Sequence, residues 1–261
     1  ARVIMACRSM ENGQVAAAKI QDQGLKEELI IKQLDLADLS SVARFANEIL
    51  AENERLDILI NNAGVMAIPY RQTSDGFEMQ FGTNHLGHFA LTGRLFPLLQ
   101  NTPGSRVVTV SSNLHMVGKI NFDDLNSEKS YQKWAAYGQS KLANVLFAYE
   151  LQRRSSQNRD NPISMAVHPG YAATNLQKDS PFFSFTNHFW AQSQAMGALP
   201  TLYAATCPDI QGGEYIGPDG FLAQRGYPRV ARSSGRSYDL ETARRLWQVS
   251  EEMTGVRYEF K

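Results

Sequence analysis

At 261 residues, 43% hydrophobic and 20% charged, the chain has the size and composition of one folded domain with a real core, which excludes a disordered or low-complexity protein. Twenty-six basic against 26 acidic residues leave a formal net charge of zero, so no global field draws it to nucleic acid or anionic lipid. Cys7 and Cys207 lie far apart without metal-ligand spacing, and no apolar run reaches the length of a membrane span, so the expectation is a reduced, cytoplasmic protein without a metal.

In chain order, the first expected strand is "RVIMAC" (2–7), which ends at Arg8-Ser9, followed by "LIIKQLD" (29–35). Leu39, Val42, Phe45, Ala46, Ile49 and Leu50 then follow the three-and-four spacing of an amphipathic helix. The strand "DILIN" (57–61) runs into Asn61-Asn62-Ala63-Gly64, a small-residue turn that lets a ligand approach the backbone. In "TNHLGHF", Asn84 sits within a largely apolar helix, where a buried amide needs partners. The strand "RVVTVS" (106–111) leads to Ser112, and a helix follows in which Tyr137 and Lys141, four residues apart, share one face. "ISMAV" (163–167) precedes a Pro169-Gly170 turn with Thr174 beyond it, and "EYI" (214–216) is the last expected strand. Asp239 reads as an N-cap, Leu240, Ala243, Leu246, Trp247 and Met253 as an apolar stripe, and Gly255 as a stop. Strand alternating with helix implies parallel pairing and right-handed crossovers, hence a doubly wound, three-layer α/β sheet. The stretches 153–162 and 223–237 are polar and contain Pro or Gly, but neither separates regions of different composition, so residues 1–261 are expected to form a single domain.

The ordered set "NNAG", Asn84, Ser112, Tyr137-x-x-x-Lys141 and "PG" with Thr174 resembles the short-chain dehydrogenase/reductase family, although each element alone is weak. "ACR", "NHLGHF", "SSNLH" and "YGQSKLANVLF" are most similar to its branch of retinol dehydrogenases and protochlorophyllide reductases. The chemistry suits the residue types on its own terms. Interconverting a carbonyl and an alcohol requires a proton to be given or taken, and a free tyrosine, with a pKa of about 10, needs a neighbouring ammonium to lower that value. The resemblance implies that Tyr137 is the acid–base, that Ser112 bonds the substrate oxygen, that Lys141 also binds the nicotinamide ribose, and that Asn84 holds a water in a proton relay. It implies further that Asn62, Ala63 and Gly64 line a dinucleotide site, that Pro169, Gly170 and Thr174 lie near the carboxamide, and that Asp35, with Leu36 beside it, reaches the adenine. Asp35 is alternatively a helix cap.

Arg8 and Ser9 stand where the adenosine ribose is read in a Rossmann-like fold, with no carboxylate before Glu11. An arginine there accommodates a 2′-phosphate, so NADP(H) is the expected cofactor. Five aromatics in "PFFSFTNHFW" (181–190) suit a large apolar carbonyl or alcohol substrate, while packing or contact with a membrane surface would explain them equally. The long stretch between Ser112 and Tyr137 would lie beside the active site and shape specificity. His115 and His188 are given no role. A homo-oligomer built on the apolar helices at 86–99 and 142–151 is one expectation, and those helices are alternatively core. Two other functions stay open: a catalytically silent nucleotide-binding regulator and a light-dependent reductase of a pigment double bond.

The glycine-rich phosphate turn normally precedes the ribose-reading position by roughly 20 residues. That position is already Arg8, so the first strand and its glycine turn are expected upstream of Ala1, together with any anchor or targeting signal. In the 3-2-1-4-5-6 order the missing strand is the central one, between 2–7 and 57–61.

Overall fold

The computed structural model describes residues 1–24, 28–158, 161–170 and 193–260. Among these, strands and helices alternate: β1 (Val3–Cys7), α1 (Met10–Gln21), β2 (Leu29–Gln33), α2 (Leu39–Glu52), β3 (Ile58–Asn61), α3 (Gly87–Gln100), β4 (Arg106–Val110), α4 (Lys133–Ser155), β5 (Ile163–Val167), α5 (Gln194–Thr206), β6 (Tyr215–Pro218), β7 (Pro228–Ala231) and α6 (Leu240–Thr254). The chain is α/β with a mostly parallel sheet between two helical layers, as its alternation predicts.

Side chains enforce the helix starts. Ser9 Oγ accepts from the Asn12 amide at α1, Asp38 accepts from the Ser40 and Ser41 amides at α2, and Asp239 accepts from the Glu241 and Thr242 amides at α6. Gly255 ends α6 with φ 66°, the left-handed conformation that favours glycine. Along α2 the predicted stripe is buried at Val42, Phe45, Ala46 and Ile49, whereas Leu50 is exposed.

Parallel strands β3–β4–β5–β6 and antiparallel β7 form a five-stranded sheet, while β1 and β2 pair in a separate parallel ribbon. The break falls between β1 and β3, where the strand order expects another strand. Residues along the break are open: Val3 is 47% exposed, Ile58 37% and Ile60 40%. The two pieces nevertheless share one apolar layer, because Ile4 of β1 and Leu59 of β3 both pack on the cluster of Phe45, Ile49, Leu91 and Leu95 from α2 and α3.

Alternation along β4 sorts two further core clusters onto opposite faces of the sheet. Val107 joins Phe89, Phe96, Phe147, Leu151, Trp247 and Tyr258 on one face, and Val108 and Val110 join Met165, Val167, Ala204 and Ile216 on the other. Large apolar side chains buried this way each contribute roughly 1.5–3 kcal/mol. Tyr258 closes the first layer by donating its hydroxyl to the Phe89 carbonyl at 2.6 Å. The apolar side chains at 86–99 and 142–151, an interface or core on sequence grounds, are core: Leu86, Leu95, Leu99, Leu142, Leu146 and Leu151 are all buried within the chain. One strand differs from the sequence reading. The polar stretch 223–237 contains β7, which adds to the edge where Pro228, lacking an amide hydrogen, is tolerated. No helix among the described residues is long and apolar enough to cross a membrane.

Candidate active site

The ends of β3, β4 and β5 open into a cleft of about 820 Å³ lined by Asn62, Ala63, Gly64, Tyr137, Lys141 and Pro169, with Ile60 at the break in the sheet and α5 residues on the far side. Ligands bind outside the carboxyl ends of strands in open α/β sheets, and this cleft lies there.

Helix α4 brings Tyr137 and Lys141 to that point. Its register on β4 is fixed by Ser111, whose hydroxyl donates to the Lys141 carbonyl at 2.8 Å. The carbonyl of Val110, the last residue of β4, accepts from Lys141 Nζ at 3.1 Å and from Asn144 Nδ2 at 3.0 Å. The loop after Ser112 crosses α4 closely. A Cβ on Gly118 would lie 2.3 Å from the Gly138 carbonyl, so glycine is required beside Tyr137. Ser112 caps a short 3-10 turn, Asn113–Met116, and its side chain faces the Tyr137 phenol.

Tyr137 is 6% exposed and Lys141 4%. Burial pushes the Tyr137 phenol up to about 12, a rise that its bond to Ser112 only partly offsets. Burial likewise pushes the Lys141 ammonium down to about 8. The expectation that Lys141 lowers the tyrosine pKa is therefore corrected for the protein without ligand. The ammonium lies 5.7 Å from the Tyr137 ring centroid and donates to Val110, so desolvation of the phenolate prevails.

Asn84 lies in a π-helical turn, Gly82–Leu86, that leads into α3. Its Oδ1 accepts from the Val65 amide at 2.8 Å, and its Nδ2 donates to the Val65 carbonyl and to Ser140 Oγ, both at 2.9 Å. Its main-chain carbonyl meets His88 Nδ1 at 2.9 Å. The amide expected to need partners has them, and they tie the loop after β3 to α4. Gly64 is held against this joint: a Cβ there would stand 2.9 Å from Asn84 Oδ1 and 3.5 Å from Lys141 Nζ. Further along the same loop, the Ala67 amide donates to Gln80 Oε1, and Gln80 Nε2 donates to Tyr131 Oη and the Lys133 carbonyl. The long stretch before α4 is thereby fastened beside the cleft.

The structure thus brings Asn62, Ala63, Gly64, Asn84, Ser112, Tyr137, Lys141 and Pro169 to one place. Gly170 adjoins Pro169 with φ 70°. Arg8 lies apart at the end of β1, exposed, its side chain without an ion pair or hydrogen bond among the described residues. Asp35 accepts from the Ala37 amide, and since Asp38 caps α2, the alternative role of Asp35 as that cap is not taken up. Leu36 is buried, its carbonyl against Gly87. Thr174 and the aromatic run 181–190 lie outside the described residues. The sequence reading passed over Ser111 and Asn144, although Asn144 lies three residues beyond Lys141 on the same helical face.

An apolar cleft lined by small residues, a phenol–ammonium pair and, at the neighbouring strand end, an arginine without a side-chain partner among the described residues fit a nicotinamide dinucleotide. Fold and site together define an NAD(P)-dependent oxidoreductase. The family profile for short chain dehydrogenases matches residues 1–181, and the chain belongs to that family. Among curated relatives, retinol dehydrogenase 14 of Mus musculus is 42% identical over 98% of this chain and 79% of its own length. Retinol dehydrogenase 13 of Homo sapiens is 42% identical over 97% of this chain and 77% of its own. A solved structure from Mycobacterium paratuberculosis, described as a putative uncharacterized protein, superposes with a TM-score of 0.81 at 43% identity, covering 99% of this chain and 85% of that one. The RhlG structure of Pseudomonas aeruginosa shares the fold at a TM-score of 0.65 and 21% identity, covering 85% and 86% of the two chains.

Proposed function

We propose that the protein is an NADP(H)-dependent reductase and dehydrogenase that interconverts a carbonyl and an alcohol on an apolar substrate. The observation that carries this is that Tyr137 and Lys141 line the cleft together, with the Ser112 side chain bonded to the Tyr137 phenol. A reduced nicotinamide bound in the cleft supplies a hydride. Ser112 donates a hydrogen bond to the substrate oxygen and holds it against the Tyr137 phenol. Tyr137 gives its proton to the developing alkoxide, and the elevated phenol pKa keeps it in that protonated form at neutral pH. Lys141 holds positive charge beside the ring and offers its ammonium to the ribose hydroxyls. Asn84 acts here through its grip on Val65 and Ser140, which fixes the cleft floor against α4.

Arg8, exposed beside Ser9 and without a side-chain partner among the described residues, supports a 2′-phosphate and therefore NADP(H), because a guanidinium forms bidentate bonds with phosphate. The predominantly apolar cleft and the names of the relatives make retinoid aldehydes and alcohols the first substrates to try, followed by steroids and aliphatic aldehydes. The test is a fluorescence titration with NADPH and NADH, together with carbonyl-dependent loss of NADPH absorbance. Tighter binding of NADH, or an Arg8→Glu variant that still prefers NADPH, would overturn the cofactor assignment. Tight NADPH binding without turnover of any carbonyl or alcohol would mark a silent nucleotide binder instead.

A further inference from the structure

The sequence gives His115 no role, yet its ring is buried three residues after Ser112 and both of its nitrogens are committed. Nδ1 lies 2.7 Å from the Ser112 carbonyl, and Nε2 lies 3.0 Å from the Ser234 amide nitrogen. A carbonyl can only accept and a backbone amide can only donate, so the two contacts fix the protonation state. Nδ1 carries the hydrogen, Nε2 carries the lone pair, and the ring is neutral. Resting on the reading above, we propose that His115 is a positioning residue for Ser112: its neutral Nδ1–H tautomer ties the Ser112 main chain, and with it the substrate-facing hydroxyl, to the segment between β7 and α6.

The surroundings are built for that tautomer. Tyr215 of β6 lies against the imidazole with ring centroids 5.0 Å apart, and its hydroxyl is 3.3 Å from Nδ1. His168, just beyond β5, stacks on Tyr215 as well, at 5.3 Å and 13°. The receiving segment is itself braced. Ser237 Oγ donates to the Ser234 carbonyl at 2.6 Å, and Ser233 Oγ is 2.7 Å from both Ser237 Oγ and the Tyr149 hydroxyl. Arg236 holds the Gly118 carbonyl on the loop that His115 begins. The nearby ionisable groups are therefore Tyr215, His168, Tyr149 of α4, Tyr238 and Arg236, with no carboxylate among these partners to stabilise an imidazolium. Burial lowers the pKa of His115, and burial, followed by repulsion from His115, lowers that of His168. Protonation of His115 would set an N–H against the Ser234 N–H, so this tie is lost only in acid, below the ordinary histidine range.

Two variants separate the halves of the bridge. In His115→Asn the amide nitrogen can stand where Nδ1 stood and keep the bond to Ser112, whereas His115→Leu fills the space without it. We expect kcat of His115→Leu to fall about tenfold or more, the scale of a displaced reacting group, with NADPH affinity unchanged. His115→Asn, which keeps the Ser112 bond but cannot reach the Ser234 amide, should recover only part of that loss and lack the acid limb that His115 adds to the wild-type kcat profile. Nitrogen-15 NMR of the dinucleotide-free protein should show the His115 imidazole neutral and protonated at Nδ1, a readout that survives even if His115→Leu fails to fold. An Nε2-protonated ring, wild-type kcat in a folded His115→Asn, or wild-type kcat in a folded His115→Leu would each overturn the proposal. Tyr137→Phe is the control: if it also keeps full turnover, the functional reading fails, and if it is inactive while His115→Leu is not, only the positioning role fails.

Discussion

Lys141→Met separates the stability cost of the site from its chemistry. The ammonium pKa falls on folding from 10.5 to about 8, with burial the cause. At about 1.4 kcal/mol per pH unit, that shift corresponds to a penalty of about 3 kcal/mol for holding the charge near neutrality. The sign follows from proton counting: between pH 8 and 10.5 the unfolded chain binds the proton and the folded protein does not, so wild-type stability rises with pH across that window. Methionine fills a similar volume and does not titrate. The lost bond to Val110 offsets the whole curve without tilting it, because Asn144 still donates to that carbonyl. Tyr137, whose raised pKa contributes in the opposite direction above pH 10, is present in both proteins and cancels. Urea unfolding without dinucleotide, followed by circular dichroism from pH 7 to 10.5, should show wild type gaining about 3 kcal/mol on the variant. A stability difference flat with pH would refute a buried, charge-penalised Lys141. Dinucleotide affinity and kcat should both fall in the variant.

Three further outcomes follow from the geometry. Tyr137→Phe keeps the ring and removes the proton, so kcat should drop by a factor on the order of a hundred or more while NADPH affinity in fluorescence titration is retained; comparable turnover would remove the acid–base role. Gly64→Ala places a methyl 2.9 Å from an Asn84 Oδ1 that cannot give way. It should cost about 1–3 kcal/mol in urea unfolding and weaken dinucleotide binding, and unchanged values of both would show a softer floor. Asn84→Ala strands the Val65 amide and carbonyl, so a loss of about 3 kcal/mol is expected, and a melting temperature equal to wild type would mean that water replaces the amide.

The parts of this protein legible from sequence are those where local chemistry and tertiary context agree. β5 has the predicted bounds Ile163–Val167, and Asp239 and Gly255 bracket α6, because capping and period act within a few residues. β7 was missed because its pairing lies in β6 and its own sequence, opening on Pro228, carries no strand signal. The direction of the Tyr137 shift was misjudged for a related reason. Helical spacing puts Lys141 on the same face but says nothing of how dry that face is, and dryness decides. His115 carried no signal at all, since its meaning depends on Ser234, 119 residues away.

The wide turn at Gly82–Leu86 sets the phase between the short helical turn Met79–Phe81 and α3. A π-turn holds one residue more than an α-turn, so residues before and after it face directions that no regular helix would combine. Upstream, Gln80 faces Ala67 and Tyr131; within the turn, Asn84 faces Val65 and Ser140. Deleting one residue would restore a regular helix and swing one section by about 100° relative to the other. Either the loop beyond β3 or the seam with α4 would then lose its clasp. Changes of length are therefore barred at this point of the chain even where changes of side chain are not, and the helix keeps an irregular turn that its own backbone would be better off without.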